Sequence, residues 1–108
     1  MLDYQIDREY WNKLSLFEQL GNVSSEVGRS IKAHRSGKTS RESGAIDRAL
    51  DLIDATVACL IDKKDIPRAR EVLRSREEYC RLFFDDTFDE DADAIEKYFM
   101  QFALAARQ

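Results

Sequence analysis

Leu16, Leu20, Val23, Val27 and Ile31 recur at intervals of three and four residues, with Phe17 beside them. That spacing puts them on one face of a helix and is incompatible with the two-residue period of a half-buried strand. The same period returns at Ile46, Ala49, Leu50, Ile53, Val57 and Leu60, where Leu52, Ala55, Cys59 and Ile61 widen the stripe. It returns again at Val72, Leu73, Tyr79 or Cys80 and Phe83, and at Ala92, Ile95, Phe99, Phe102 and Ala106.

Start and stop signals divide these stripes into four helices, at about 16–35, 42–62, 67–84 and 88–107. Ser15 with Glu18, Thr39 with Glu42 and Thr87 with Glu90 each have the spacing of a capping box. Ser36-Gly37 suits a helix exit, and Pro67 suits a helix's first turn. Asp89, Glu90 and Asp91 stand where a helix dipole favours negative charge. With only 4 Gly and 1 Pro the chain has little turn chemistry for an all-β fold. The fold class expected is all-α: one domain over 1–108, an antiparallel up-and-down four-helix bundle. A short lead-in segment with Tyr10 and Trp11 precedes it.

No apolar run approaches the roughly 20 residues that span a bilayer, and the N-terminal stretch lacks a signal peptide's apolar core. Cys59 and Cys80 have no ligand-spaced neighbours and read as small buried thiols. These features predict a cytoplasmic protein without membrane contact, cofactor or metal. No Gly-rich phosphate loop or nucleophile elbow is present.

Two features need more than a bundle. Gly21, Ser24 and Gly28 line one face of the first long helix. They read as close packing within the chain or against another subunit. Arg76 lies on the third stripe and calls for a carboxylate from another helix, with Glu26 or Asp54 as candidates. Glu26, Asp54 and Arg76 are therefore expected to form a structural polar cluster.

Charge is unevenly placed. Arg29, Lys32, Arg35, Lys38 and Arg41 give five positive residues with no acid between them, while residues 85–96 hold seven acids and no base. The basic patch could meet phosphates. With a net charge of −4, charge complementarity with the acidic stretch, within or between chains, is the preferred reading.

Arg29 and His34, the only histidine, resemble the Arg–His signature of ribonucleases of the HEPN class. The resemblance implies His34 as acid–base group and Arg29 as stabiliser of phosphorane-like charge. In that class the motif sits in a late helix, with a polar Asn, Asp or His after the Arg. Here it lies in the first long helix and Ser30 follows. Five helical residues also turn the two side chains about 140° apart.

The stretches FEQLGNVSSEVGRSI, RALDLIDATVA, REEYCRLFFDD and KYFMQFALAARQ, in that order, resemble a group of small bacterial all-helical proteins with no known activity. The resemblance implies a stand-alone helical protein and carries no site residues. The expectation is a non-enzymatic interaction or self-assembling module. Its partner is a second copy or another protein. The alternative is RNA-directed, by ribonuclease action through Arg29 and His34 or by nucleic-acid binding at the basic patch.

Overall fold

The computed structural model describes residues 6–108, and every regular element among them is helical. The helices are α1 (Arg8–Lys13), α2 (Leu16–Arg35), α3 (Thr39–Asp62), α4 (Ile66–Phe84) and α5 (Phe88–Ala106). Helix α2 packs against both α3 and α5, and α4 also packs against both. Leu20, Val23, Val27 and Ile31 of α2 meet Ile46, Ala49, Ile53 and Leu60 of α3 in the core. Val72, Tyr79 and Leu82 come from α4, and Ala92, Ile95 and Phe99 from α5.

The expected lead-in forms α1, capped by Asp7, whose carboxylate accepts from the Tyr10 amide at 3.1 Å. It docks on α3. Trp11 is buried there and its indole Nε1 donates to Thr56 Oγ1 at 3.3 Å. The buried Gln19 amide donates to the Trp11 carbonyl at 2.8 Å, which ties α1 to α2. Tyr10 stays exposed. The lead-in therefore lies on α3, and the Tyr98 ring packs on Phe99 and Phe102 of its own helix.

Of the three capping boxes only Ser15–Glu18 forms, with both reciprocal bonds present. Helix α3 begins at Thr39, so Lys38 takes the N-cap position and contributes no side-chain bond. Thr87 does hold the N-cap of α5, but at φ −96°, ψ 9° rather than in extended backbone. From there its hydroxyl makes no bond to the helix amides, and Oγ1 is buried without a partner among the described residues. Helix α4 has a cap the capping-box pattern did not show: Asp65 accepts from the Arg68 amide at 3.3 Å.

One expected core position of the third stripe differs. Leu73 is 46% exposed, and the buried line of α4 runs instead through Ala69, Val72, Ser75, Tyr79 and Leu82. Between two neighbouring helices the small residues Ala69 and Ser75 permit close approach, which turns Leu73 outward. Ala106 and Ile61 are also exposed.

The small-residue face of α2 packs inside the chain. A Cβ at Gly21 would lie 3.2 Å from the Ala103 Cα, and one at Gly28 would lie 3.4 Å from Glu96 Oε2. Both neighbours belong to α5, so this face is not open to a second copy.

Candidate functional site

The last turns of α2 and the first turns of α3 are joined by a tight turn in which Gly37 takes φ +67°. Below that turn the facing residues Ala33, Gly44 and Ala45 are too small to fill the space between the helices. A groove of about 740 Å³ results, within the size range of small-ligand sites. Its rim carries Arg29, Lys32, Lys38, Arg41 and Arg48.

Four of the five residues of the sequence-defined basic patch thus gather around one groove. The fifth does not. Arg35 turns toward α5, where its guanidinium meets Asp93 at 2.7 Å and lies 5.6 Å from the centre of the Phe88 ring. That ion pair is a contact within the chain between the basic stretch and the acidic 85–96 stretch.

Glu26 organises one wall. It is a buried carboxylate that accepts from Arg29 Nη1 at 2.9 Å on Oε2 and from Arg48 Nε at 3.2 Å on Oε1. Each arginine spends a single N–H of its five-donor fork on it. Lys32, Lys38 and Arg41 form no ion pair with the described residues.

The expected polar cluster divides in two. Arg76 pairs with Asp54 across α3 and α4 at 2.8 Å, while Glu26 is engaged on the far side of α3 by Arg29 and Arg48. Arg76 is half-buried rather than buried and Asp54 is exposed, so one carboxylate suffices and a third member is not drawn in.

Arg29 and His34 do not converge. Arg29 faces the groove through Glu26. His34 continues the core face of α2 one turn beyond Ile31. Its ring centre lies 3.9 Å from that of Phe88 and 5.7 Å from that of Phe83. Its Nδ1 lies 3.1 Å from Glu42 Oε1, the carboxylate that a capping box would have turned to the backbone.

Among the described residues no group of three or more His, Cys, Asp or Glu side chains is placed to hold a metal ion. No described helix is long and apolar enough to cross a membrane. Cys59 is buried, but Cys80 is only partly so; burial pushes its thiol above the ordinary range.

Among the groove residues that escaped sequence analysis are Gly44 and Arg48. Their signal was available: Arg41, Gly44 and Arg48 fall at i, i+3 and i+7, a basic and small-residue face of one helix.

No protein-family model, no curated protein and no solved structure matches the chain. The functional reading therefore rests on the groove and its chemistry.

Proposed function

We propose that this protein is a non-enzymatic, cytoplasmic binding module, built as an antiparallel up-and-down four-helix bundle with a docked lead-in. Its working surface is the α2–α3 groove. The bundle reading is supported by the packing of each long helix on its neighbours in sequence and of α2 on α5, with short connections between them. The resemblance to a group of small bacterial helical proteins implies a stand-alone helical protein and adds no activity.

The observation that carries the functional reading is the gathering of Arg29, Lys32, Lys38, Arg41 and Arg48 around one groove. Three of these cations have no ion-pair partner among the described residues. Unpaired cations facing each other repel, and a bound anion relieves that repulsion.

A nucleic-acid-directed role is the second reading, favoured by the same four basic-patch residues. Its ribonuclease form is not favoured, since Arg29 and His34 serve different neighbours. Self-association is the third form of partner. The exposed Phe17 and Leu104 support it, while the Gly21–Gly28 face no longer does.

Light scattering in line with size exclusion, recorded at 260 and 280 nm on protein purified at low and high salt, tests the reading. A partner or a second copy released by salt, and lost on Lys32→Glu with Arg41→Glu, is the expected result. A bare monomer that retains nothing at either salt and binds no anion at the groove overturns it.

A further inference from the structure

We infer that the α2–α3 groove binds a small ligand carrying a linear chain of two or more phosphates, an inference that rests on the groove's being the working surface.

The charge balance sets the ligand's charge. Five cations line the groove and one carboxylate, Glu26, is tied to two of them, which leaves a surplus of four positive charges. A single phosphate carries at most about two negative charges near neutral pH. It would leave half of that surplus uncompensated. A di- or triphosphate matches it.

The donors are arranged for phosphate oxygens. Glu26 holds Arg29 by Nη1 and Arg48 by Nε, so both forks are fixed in place while most of their N–H groups stay open. A fixed planar fork suits two-point binding of a phosphate. Lys32, Lys38 and Arg41 add mobile point charges along the rim. Lys38 and Ser40 line the end of the groove where α3 begins. No side chain caps that helix, so its first amides add partial positive charge.

The floor argues for a compact ligand without bases. Ala33, Gly44 and Ala45 form it, and among the described residues no aromatic ring lines the groove. Grooves that track single-stranded nucleic acid combine positive charge with aromatic platforms on which bases stack. This one has the charge alone. A long polyanion would also run toward the acidic 85–96 stretch, of which Asp93 is already drawn to Arg35 beside the groove-forming turn. A short phosphate chain avoids that repulsion.

A free polyphosphate and the triphosphate of a nucleotide share this chemistry, and titration separates them. The full chain is titrated by calorimetry at low salt with inorganic orthophosphate, inorganic tripolyphosphate, adenosine triphosphate and a ten-residue oligoribonucleotide with a 5′-hydroxyl. Tripolyphosphate is expected to bind one to one, at least about tenfold tighter than orthophosphate, since each further charge-assisted hydrogen bond is worth about that factor. Adenosine triphosphate is expected to match it and gain nothing from its base; a base-dependent gain would overturn the phosphate-only site.

Lys32→Ala with Arg41→Ala removes two exposed side chains that pack against no core, and should weaken tripolyphosphate by about tenfold or more. Gly44→Ala places a methyl group 3.2 Å from Arg48 Nη1 and should weaken binding without loosening the fold. Equal affinity for the two inorganic anions, or binding indifferent to both variants, overturns the inference. So does an oligoribonucleotide that tripolyphosphate cannot displace, which would make the groove a nucleic-acid surface. If tripolyphosphate fails while a salt-released partner is still lost on Lys32→Glu with Arg41→Glu, the binding module stands and only the phosphate assignment falls.

Discussion

The backbone of Ala103 occupies the space next to Gly21: a Cβ there would lie 3.2 Å from the Ala103 Cα and 3.6 Å from its amide nitrogen. Glycine in a helix interior costs about 1 kcal/mol relative to alanine, so Gly21→Ala brings a local gain. The gain is outweighed because a helix backbone cannot rotate away as a side chain can. Overpacking a close contact costs about 1–3 kcal/mol. Gly21→Ala is expected to destabilise the protein by about 1 kcal/mol, the difference between these effects. Gly44→Ala meets only the outer Nη1 of Arg48, which can tilt by a few tenths of an ångström about its Nε bond to Glu26, and should stabilise by about 0.5 kcal/mol. Urea denaturation of the two variants in parallel checks the opposite signs.

Trp11 provides its own reporter, as the only tryptophan in the chain. Its ring is buried against α3 and its Nε1 donates to Thr56 Oγ1, which itself donates to the Leu52 carbonyl at 2.8 Å. Thr56→Val keeps the shape and removes the acceptor, leaving a buried N–H unsatisfied at a cost of about 1–3 kcal/mol. Trp11→Ala should cost about 3–5 kcal/mol, as for other large-to-small core changes. With Thr56→Val the fluorescence should stay blue-shifted until global unfolding. A red shift under native conditions would instead show α1 leaving α3 on its own.

Tyr79 predicts the alkaline limit. Ser30 Oγ donates its one proton to the Val27 carbonyl at 2.7 Å, so the Tyr79 hydroxyl, 2.7 Å away, must be the donor between them. Burial pushes the Tyr79 phenol well above its ordinary value. Burial, with the neighbouring Glu71 carboxylate, pushes Tyr98 up to about 12. A group whose pKa is raised by folding adds stability below its unfolded pKa and loses it as pH rises toward the folded one. Stability should therefore hold up to about pH 10, where free tyrosine begins to ionise, and fall above it. Tyr79→Phe should cost about 1 kcal/mol at neutral pH through the lost hydrogen bond and flatten the decline above pH 10. Urea midpoints at pH 8 and pH 11 measure both effects.

Arg35 and Asp93 join the basic and acidic stretches, but the pair is exposed: half of the Arg35 side chain and most of the Asp93 side chain face solvent. A double-mutant cycle with Arg35→Ala and Asp93→Ala should give a coupling of only about 0.2–1 kcal/mol at low salt. It should vanish at high salt. A larger, salt-resistant coupling would mean that the stretch 85–96 is held to α2 by more than this pair.

What the sequence showed and what it hid divide along physical lines. Leu20, Val23, Val27 and Ile31 were legible because burial follows the helical period directly. Leu73 was misplaced because hydrophobicity alone does not say which side of α4 can approach its neighbours. Ala69 and Ser75 decided that by their small size. The pair Thr39 and Glu42 has the spacing of a capping box. Whether one forms depends on where the helix starts and whether the cap residue is extended, and neither is written in the residue types. The basic patch was legible as charge. Its division into four groove residues and an Arg35 bound to α5 follows from the 100° turn per residue at the end of α2. Gly44 and Arg48, on the other helix, complete the groove only once α3 is laid beside α2.

Glu26 is the one acid among the described residues that pairs with the groove's cations, and removing its charge should act in two opposite directions. Its carboxylate is nine-tenths buried and shared by Arg29 and Arg48, whose own side chains are 63% and 37% exposed. Water can therefore still reach the arginines, and the cost of Glu26→Gln is that of weakened charge-assisted bonds rather than of stranded charges. About 1–2 kcal/mol of stability should be lost at low salt. Part of it should return as salt is raised, since the five groove cations then repel one another through a screened field. The same substitution raises the positive surplus of the groove from four to five and should tighten tripolyphosphate binding by a few-fold. Thermal melts across a salt series, paired with the titration, read both effects on one preparation. If stability falls and anion binding weakens with it, the role of Glu26 is to aim the two guanidiniums rather than to offset their charge, and Arg29→Lys, which keeps the charge but not the fork, should then reproduce the loss of binding.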